Sequence, residues 1–270
     1  MIIERDQQIL VFTDFTKNSK IALNHAVIIG KILEKEITIA CLNNASENEA
    51  ELHSRLKTFA EGSATETVVL NKDYSKSFLE IVPKINAILA IVSYRDDEKN
   101  HDFHPKNLLK LFKKSRIPYL FVNKDIEDAD FYKKIILPID STKESKEKVL
   151  WASYFSRFNE AVIKVITPKV KDEYFVRQLN NNQKFIKKIF ANFEVDFEIV
   201  NTSEKESTID MKAVNIANEE KAGLVIVLAT KSYSLFDYFR GPKELQTILN
   251  QWKIPVMCLN PRDDLYVLCD

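Results

Sequence analysis

Two aspartates stand where chemistry could start. Asp14 ends the apolar run of ILVFTDFTKNSK (Ile9 to Lys20), and Asp140 ends that of IILPIDSTKESK (Ile135 to Lys146). Laying one on the other, 126 residues apart, also superimposes Thr142 on Thr16, Lys143 on Lys17, Ser145 on Ser19 and Lys146 on Lys20. One unit is written twice. In each copy a short apolar run stops at a carboxylate, and hydroxyl and basic residues then open a helix. A carboxylate at that point can cap the free N–H groups of the helix start, where the macrodipole favours negative charge.

Little else has the spacing of a reactive site. His101, Asp102 and His104 in HDFH have the beginnings of a metal set, but two loop histidines three apart without further clustered ligands are expected to be exposed surface residues. His25 falls on the apolar face of a helix and is expected to be packed and hydrogen-bonded. Three cysteines, Cys41, Cys258 and Cys269, have no paired spacing, so neither a disulfide scaffold nor a zinc site is expected. Cys258 should be a buried, inert thiol and Cys269 an accessible one. No Ser, His and Asp grouping and no nucleophile elbow occurs, so the chain is not expected to be an enzyme. The whole chain holds four glycines, Gly30, Gly62, Gly223 and Gly241, which leaves little room for a glycine-built phosphate cradle. Lys231, Arg240 and Lys243 could hold a phosphate with side chains instead, although basic residues on an exposed loop need no ligand.

The elements that must position these residues alternate. In the first half, strands are expected at Ile9 to Thr13, Glu36 to Leu42, Glu66 to Leu70, Ala87 to Val92 and Ile117 to Val122. Helices fall between them at Ser19 to Leu33, Glu47 to Ala60, Ser75 to Ile85 and Lys106 to Ser115. The second half repeats the order, with strands at Lys134 to Ile139, Ala161 to Ile166, Phe197 to Val200, Leu224 to Ala229 and Ile254 to Leu259. Its helices are expected at Lys143 to Arg157, Lys171 to Phe193, Thr208 to Lys221 and Pro242 to Gln251. Each half is therefore a doubly wound α/β domain, a five-stranded parallel sheet with helices on both faces. The domains are expected at 1–125 and 133–260, with an acidic linker over 126–132 and a tail, 261–270, packing on the fold. In such sheets ligands bind beyond the carboxyl ends of the strands.

Composition narrows the partners. Lys plus Arg and Asp plus Glu both number 39, so there is no global charge to draw DNA, RNA or an anionic membrane. No run approaches the ~18 apolar residues of a membrane span. No signal peptide is visible in MIIERDQQILVF, and a reducing cytoplasm is the expected setting.

Strand, Asp, hydroxyl and helix at both starts, then KAGLVIVLAT, a loop and FRGPKELQTILNQWKIPVMCLNP, resemble universal stress proteins in their tandem form, of the Rossmann-like adenine nucleotide alpha hydrolase-like class. The resemblance covers essentially the whole chain and is more specific in the second half. It implies a stress-associated protein that forms a homodimer. In members that bind ATP, the aspartate after the first strand lies near the adenosine, and a loop of pattern GxxG, a spacer, then Gly and a hydroxyl residue cradles the triphosphate. Asp14 and Asp140 match that aspartate. The loops depart: Tyr94 to Pro105 has no glycine, and in the second half Gly241 alone remains, followed by Pro242, which has neither N–H nor O–H. This chain resembles the branch without the loop, so no cofactor is expected. Its function is expected to be non-catalytic binding or interaction with an unknown protein partner. The alternatives are an ATP sensor or weak ATPase using Asp14, Asp140, Lys231, Gly241 and Lys243, with the second half favoured by Gly241, and a small-molecule carrier. Tyr233, Phe236, Tyr238 and Phe239 crowd the loop where binding members keep glycines, and would fill a cleft, form a sticky patch or pack between the halves.

Overall fold

The computed structural model describes residues 6–43, 47–71, 74–95, 102–113, 115–230 and 242–261. They belong to two compact units, Met1–Glu127 and Asp128–Asp270. The division falls inside the acidic segment read as a linker. That segment is not an open spacer, because Ile126 is 5% exposed and Tyr132 is fully buried.

The first unit runs β1 (Gln8–Thr13), α1 (Lys17–Leu33), β2 (Glu36–Leu42), α2 (Glu49–Ala60), β3 (Glu66–Leu70), α3 (Tyr74–Lys84), β4 (Ala87–Ser93), α4 (Pro105–Phe112) and β5 (Tyr119–Val122). The second runs β6 (Lys134–Pro138), α5 (Glu147–Asn159), β7 (Val162–Thr167), α6 (Glu173–Asn192), β8 (Phe197–Asn201), α7 (Ile209–Glu219), β9 (Leu224–Leu228), α8 (Lys243–Ile248) and β10 (Val256–Leu259). The strand order is β3-β2-β1-β4-β5 in the first unit and β8-β7-β6-β9-β10 in the second, so the two units share one topology. All strand pairs within the units are parallel. Both sheets reverse their order beside the first strand of the unit, which puts the switch-point crevice next to Asp14 and Asp140.

Burial explains why these segments became strands. All six residues of β1, QILVFT, are buried, as a central strand covered on both faces requires. Edge strands β3 and β8 are only half-buried and carry Glu66, Glu198 and Asn201 among apolar residues. In the first core Phe12, Phe78 and Phe112 meet with ring centroids 5.0–5.6 Å apart, and Tyr119 stacks on Phe112 at 4.9 Å. In the second, Tyr132 packs on Phe155 at 5.5 Å and Phe190 on Phe197 at 5.1 Å.

A glycine-poor chain must end its helices with other residues. Glu34, Glu61 and Glu160 close α1, α2 and α5 in the left-handed region, at φ of 54°, 51° and 54°. Side chains with a Cβ are strained there, and glycine is not. Glu160→Gly is therefore expected to stabilise the second unit by about 0.5–1 kcal/mol, the released strain exceeding the extra freedom of the unfolded chain. Urea denaturation checks it; a lower midpoint would mean that the Glu160 side chain contributes more than its backbone costs.

The helix starts differ in places from the sequence pattern. The expected helix at Lys143 opens as a 3-10 turn, Lys143–Lys146, before α5 begins. Helix α4 starts at Pro105 because His104 caps it, its Nδ1 accepting the Lys106 N–H at 3.2 Å. His104 is thus buried, 7% exposed, and not the exposed loop histidine that HDFH suggested. His25 is fully buried, and its Nε2 donates to the Lys124 carbonyl at 2.7 Å, as expected of a packed histidine. Lys231, Arg240, Gly241, the aromatic loop of Tyr233, Phe236, Tyr238 and Phe239, His101, Cys269 and the tail beyond Pro261 lie outside the described residues.

Candidate functional site

In the first unit, the loop after β1 is built around one carboxylate oxygen. Asp14 Oδ1 accepts the Thr16 N–H at 3.1 Å, the Thr16 hydroxyl at 2.5 Å and the Ser19 hydroxyl at 2.5 Å. It therefore bends the loop ahead of α1 rather than capping the interior amides of the helix. Oδ2 faces Arg95 Nη1 at 3.9 Å. Burial pulls the Asp14 carboxyl up, but the hydroxyl bonds from Ser19 and Thr16 and the Thr16 N–H together hold it below its ordinary value. The group is a carboxylate at neutral pH.

Next to it Phe15 sits at φ 63°, a left-handed conformation that a bulky residue rarely adopts. Three neighbours hold it. The Thr13 hydroxyl accepts its N–H at 2.8 Å, the Arg55 guanidinium lies 4.2 Å from its ring centre, and Phe59 meets the ring edge-on at 5.9 Å. Arg55 also pairs with Glu47. Thr13, Asp14, Phe15, Glu47 and Arg55, with Leu42 and Asn43 at the end of β2, Leu52 on α2, and Asp102 and Phe103 ahead of α4, line a cavity of about 190 Å³. It opens at the carboxyl ends of β1 and β2.

The corresponding loop of the second unit keeps the aspartate geometry. Asp140 Oδ1 accepts the Thr142 N–H at 3.0 Å and its hydroxyl at 2.6 Å, and the Asp140 N–H donates to Ser145 Oγ at 3.2 Å. Buried Asn182 of α6 ties the loop down, its Nδ2 donating to the Asp140 and Thr142 carbonyls at 2.9 and 2.8 Å. Ser141, the counterpart of Phe15, is not among the residues with positive φ.

What surrounds Asp140 is charged and enclosed. The Lys148 amine, 2% exposed, donates to the Pro138 carbonyl. Loss of water pulls that amine below its ordinary value, and Asp140 and Asp210 only partly restore it. Burial raises the Asp210 carboxyl against the opposing pull of Lys148 and Lys243. At the start of α8, Glu244 is 1% exposed, and its carboxyl group accepts the Thr230 N–H at 3.0 Å and the Thr230 hydroxyl at 2.7 Å. An amide and a hydroxyl at the carboxyl end of β9 are groups that could meet a bound phosphate. Here the chain's own acid takes them.

Of the residues singled out in the sequence, Asp14 lines the first-unit cavity, while Asp140 and exposed Lys243 lie in the second unit, both acting on Asp210. Glu47, Arg55 and Asn43 on one side, and Lys148, Asp210 and Glu244 on the other, carried no motif. Only the internal repeat points to their neighbourhoods. Among the described residues no group of three or more His, Cys, Asp and Glu is placed to hold a metal ion, and no helix is long and apolar enough to cross a membrane.

No family model matches the chain, and no curated protein matches its sequence. Solved structures do match. A universal stress protein from Archaeoglobus fulgidus DSM 4304 has a TM-score of 0.68 at 12% identity, covering 95% of this chain and 97% of its own. A functionally unknown protein from Pseudomonas aeruginosa PAO1 has a TM-score of 0.65 at 16% identity, covering 97% and 95%. The cytoplasmic domain of a prokaryotic cation chloride cotransporter has a TM-score of 0.53 at 12% identity, covering 98% and 99%. At such identities the likeness is one of fold. Over nearly its whole length, the chain has the fold of universal stress proteins, built as two α/β units of one topology.

Proposed function

We propose that the chain is a non-catalytic binding or interaction module of the universal stress protein type, acting as a homodimer in the cytoplasm and using no nucleotide cofactor. The observation that carries the reading is Glu244. In the second unit, where the sequence kept more of the family pattern, this buried acid engages the Thr230 N–H and hydroxyl. Pro242 beside it, the residue before α8, has no N–H to offer. Asp210 adds a second acid within electrostatic reach of Glu244. A triphosphate placed there would compete with the chain's own acid for the same donors and meet acidic groups in a poorly solvated setting.

Calorimetric titration with MgATP tests the reading, after denaturing purified protein and chromatographing the supernatant for released nucleotide. The expected result is no saturable heat at millimolar MgATP and no released nucleotide. Saturable binding near one site per chain, abolished by Asp140→Ala or Asp14→Ala, would overturn it in favour of a nucleotide sensor.

A further inference from the structure

We propose that the cavity at the carboxyl ends of β1 and β2 binds a small organic cation of the amine or guanidinium class and rejects phosphorylated ligands. This rests on the binding-module reading and names the ligand class for one of its two units.

The hydrogen-bonding capacity of the site sets the class. Each amide of the loop that an anion would need is already committed: the Asp14 N–H to Ser19 Oγ at 3.0 Å, the Phe15 N–H to Thr13 Oγ1 at 2.8 Å and the Thr16 N–H to Asp14 Oδ1 at 3.1 Å. The Asn43 N–H, at the end of β2, donates to the Leu70 carbonyl at 2.8 Å. The backbone donors of this loop are spent and its acceptors are not. Asp14 Oδ2 lies 3.9 Å from Arg95, beyond the ~2.7–2.9 Å of a charge-assisted hydrogen bond, so it can still accept one from a ligand.

Charge points the same way. The lining holds three acids, Asp14, Glu47 and Asp102, against one base, Arg55. Arg55 is itself engaged by Glu47 and by the ring of Phe15. Arg95 stands 3.9 Å from Asp14 and Arg55 pairs with Glu47, which leaves Asp102 as the lining acid with no base beside it among the described residues. An ammonium or guanidinium would complete it, whereas a phosphate would be repelled by it.

Size limits the ligand. About 190 Å³ is room for roughly six waters at ~30 Å³ each, and falls short of the ~300 Å³ at which cofactor-sized pockets begin. A short aliphatic amine or guanidine fits. The strained Phe15 forms part of the wall, held by Arg55 and Thr13, and strain of this kind collects at ligand sites.

The probe is agmatine, which carries an ammonium and a guanidinium on one short chain, titrated calorimetrically into the full chain with AMP as the anionic control. Agmatine is expected to saturate near one site per chain and AMP to give no heat. Asp102→Asn, at an exposed position, is expected to weaken agmatine at least fivefold, and Asp102→Lys to abolish binding. No saturable agmatine binding, or binding unchanged in both variants, would overturn the proposal. If MgATP is also silent, that failure leaves the binding-module reading standing. Saturable AMP binding in this cavity would overturn both.

Discussion

Replacing Gly223 by alanine is expected to destabilise the second unit by about 3–5 kcal/mol, at the upper end of what overpacking costs. A Cβ at Gly223 would lie 1.8 Å from the Phe131 carbonyl oxygen and 2.7 Å from its carbon, both backbone atoms that no rotamer change can move aside. The Phe131 turn cannot easily retreat. Tyr132 beside it is fully buried against Phe155, Asn159 Nδ2 donates to the Ala129 carbonyl at 2.9 Å, and the Gly223 N–H itself donates to Lys134 at 3.0 Å. Both tryptophans, Trp151 and Trp252, belong to the second unit, so urea denaturation followed by tryptophan fluorescence reads the effect where it arises. Gly62→Ala is the control. At φ 80° with nothing within 4 Å, it carries only a conformational cost of about 1 kcal/mol. Equal shifts for the two variants would show that the turn and β9 do not approach as closely as described.

The second large effect is on pH. His25 is expected to withdraw about 3 kcal/mol of stability from the fold as pH falls from about 6.5 to about 4. Burial holds the imidazole down to about 4, only partly opposed by the Lys124 carbonyl and the Asp125 carboxylate. The unfolded chain takes up this proton near pH 6.5 and the folded chain only near 4. Between those values the unfolded state holds the extra proton. Stability is therefore complete above the upper value and is lost as pH falls through the window, at up to ~1.4 kcal/mol per pH unit. His25→Gln can still donate to Lys124 but does not titrate. Urea midpoints followed by circular dichroism from pH 4 to 8 should fall more steeply in the wild type than in this variant. Parallel profiles would mean that the buried ring is protonated without penalty.

The fold was legible because its strands are short apolar runs bounded by polar residues, a pattern that burial in a parallel sheet imposes on the chain. Strands β2 and β3 fall at the residues the pattern marks. Helix ends were less legible, since they depend on capping contacts. Nothing in HDFH says that His104 turns inward to receive the Lys106 N–H, and nothing in the run after Pro242 says that α8 stops at Ile248. There Asn250 closes the turn instead, with its side chain accepting the Ile254 N–H and donating to the Ile254 carbonyl, both at 2.9 Å.

The site was legible only in part. The repeat located both aspartates, because a loop after a unit's first strand needs a group to bend it. The walls were not legible. Arg55 reaches the Phe15 loop from helix α2, and Asp102 arrives from a loop far along the chain. Neither position has a sequence neighbour that announces the contact. The surviving Gly241 directed attention to the second half, whereas the cavity lined by Asp14 belongs to the first. A retained glycine reports the ancestry of a loop. Space and spare acceptors report its present use.

The two cysteines among the described residues divide evenly between the units. Cys41 lies in β2, 1% exposed, and Cys258 in β10, fully buried. Burial pushes the Cys41 thiol up to about 11 and the Cys258 thiol well above its ordinary value. Neither forms thiolate at neutral pH while its strand stays covered. Each unit thus contains its own chemical clock: an alkylating reagent advances at Cys41 only when the first sheet opens and at Cys258 only when the second does. The breathing of two architecturally similar halves can be timed separately, without introducing a single label.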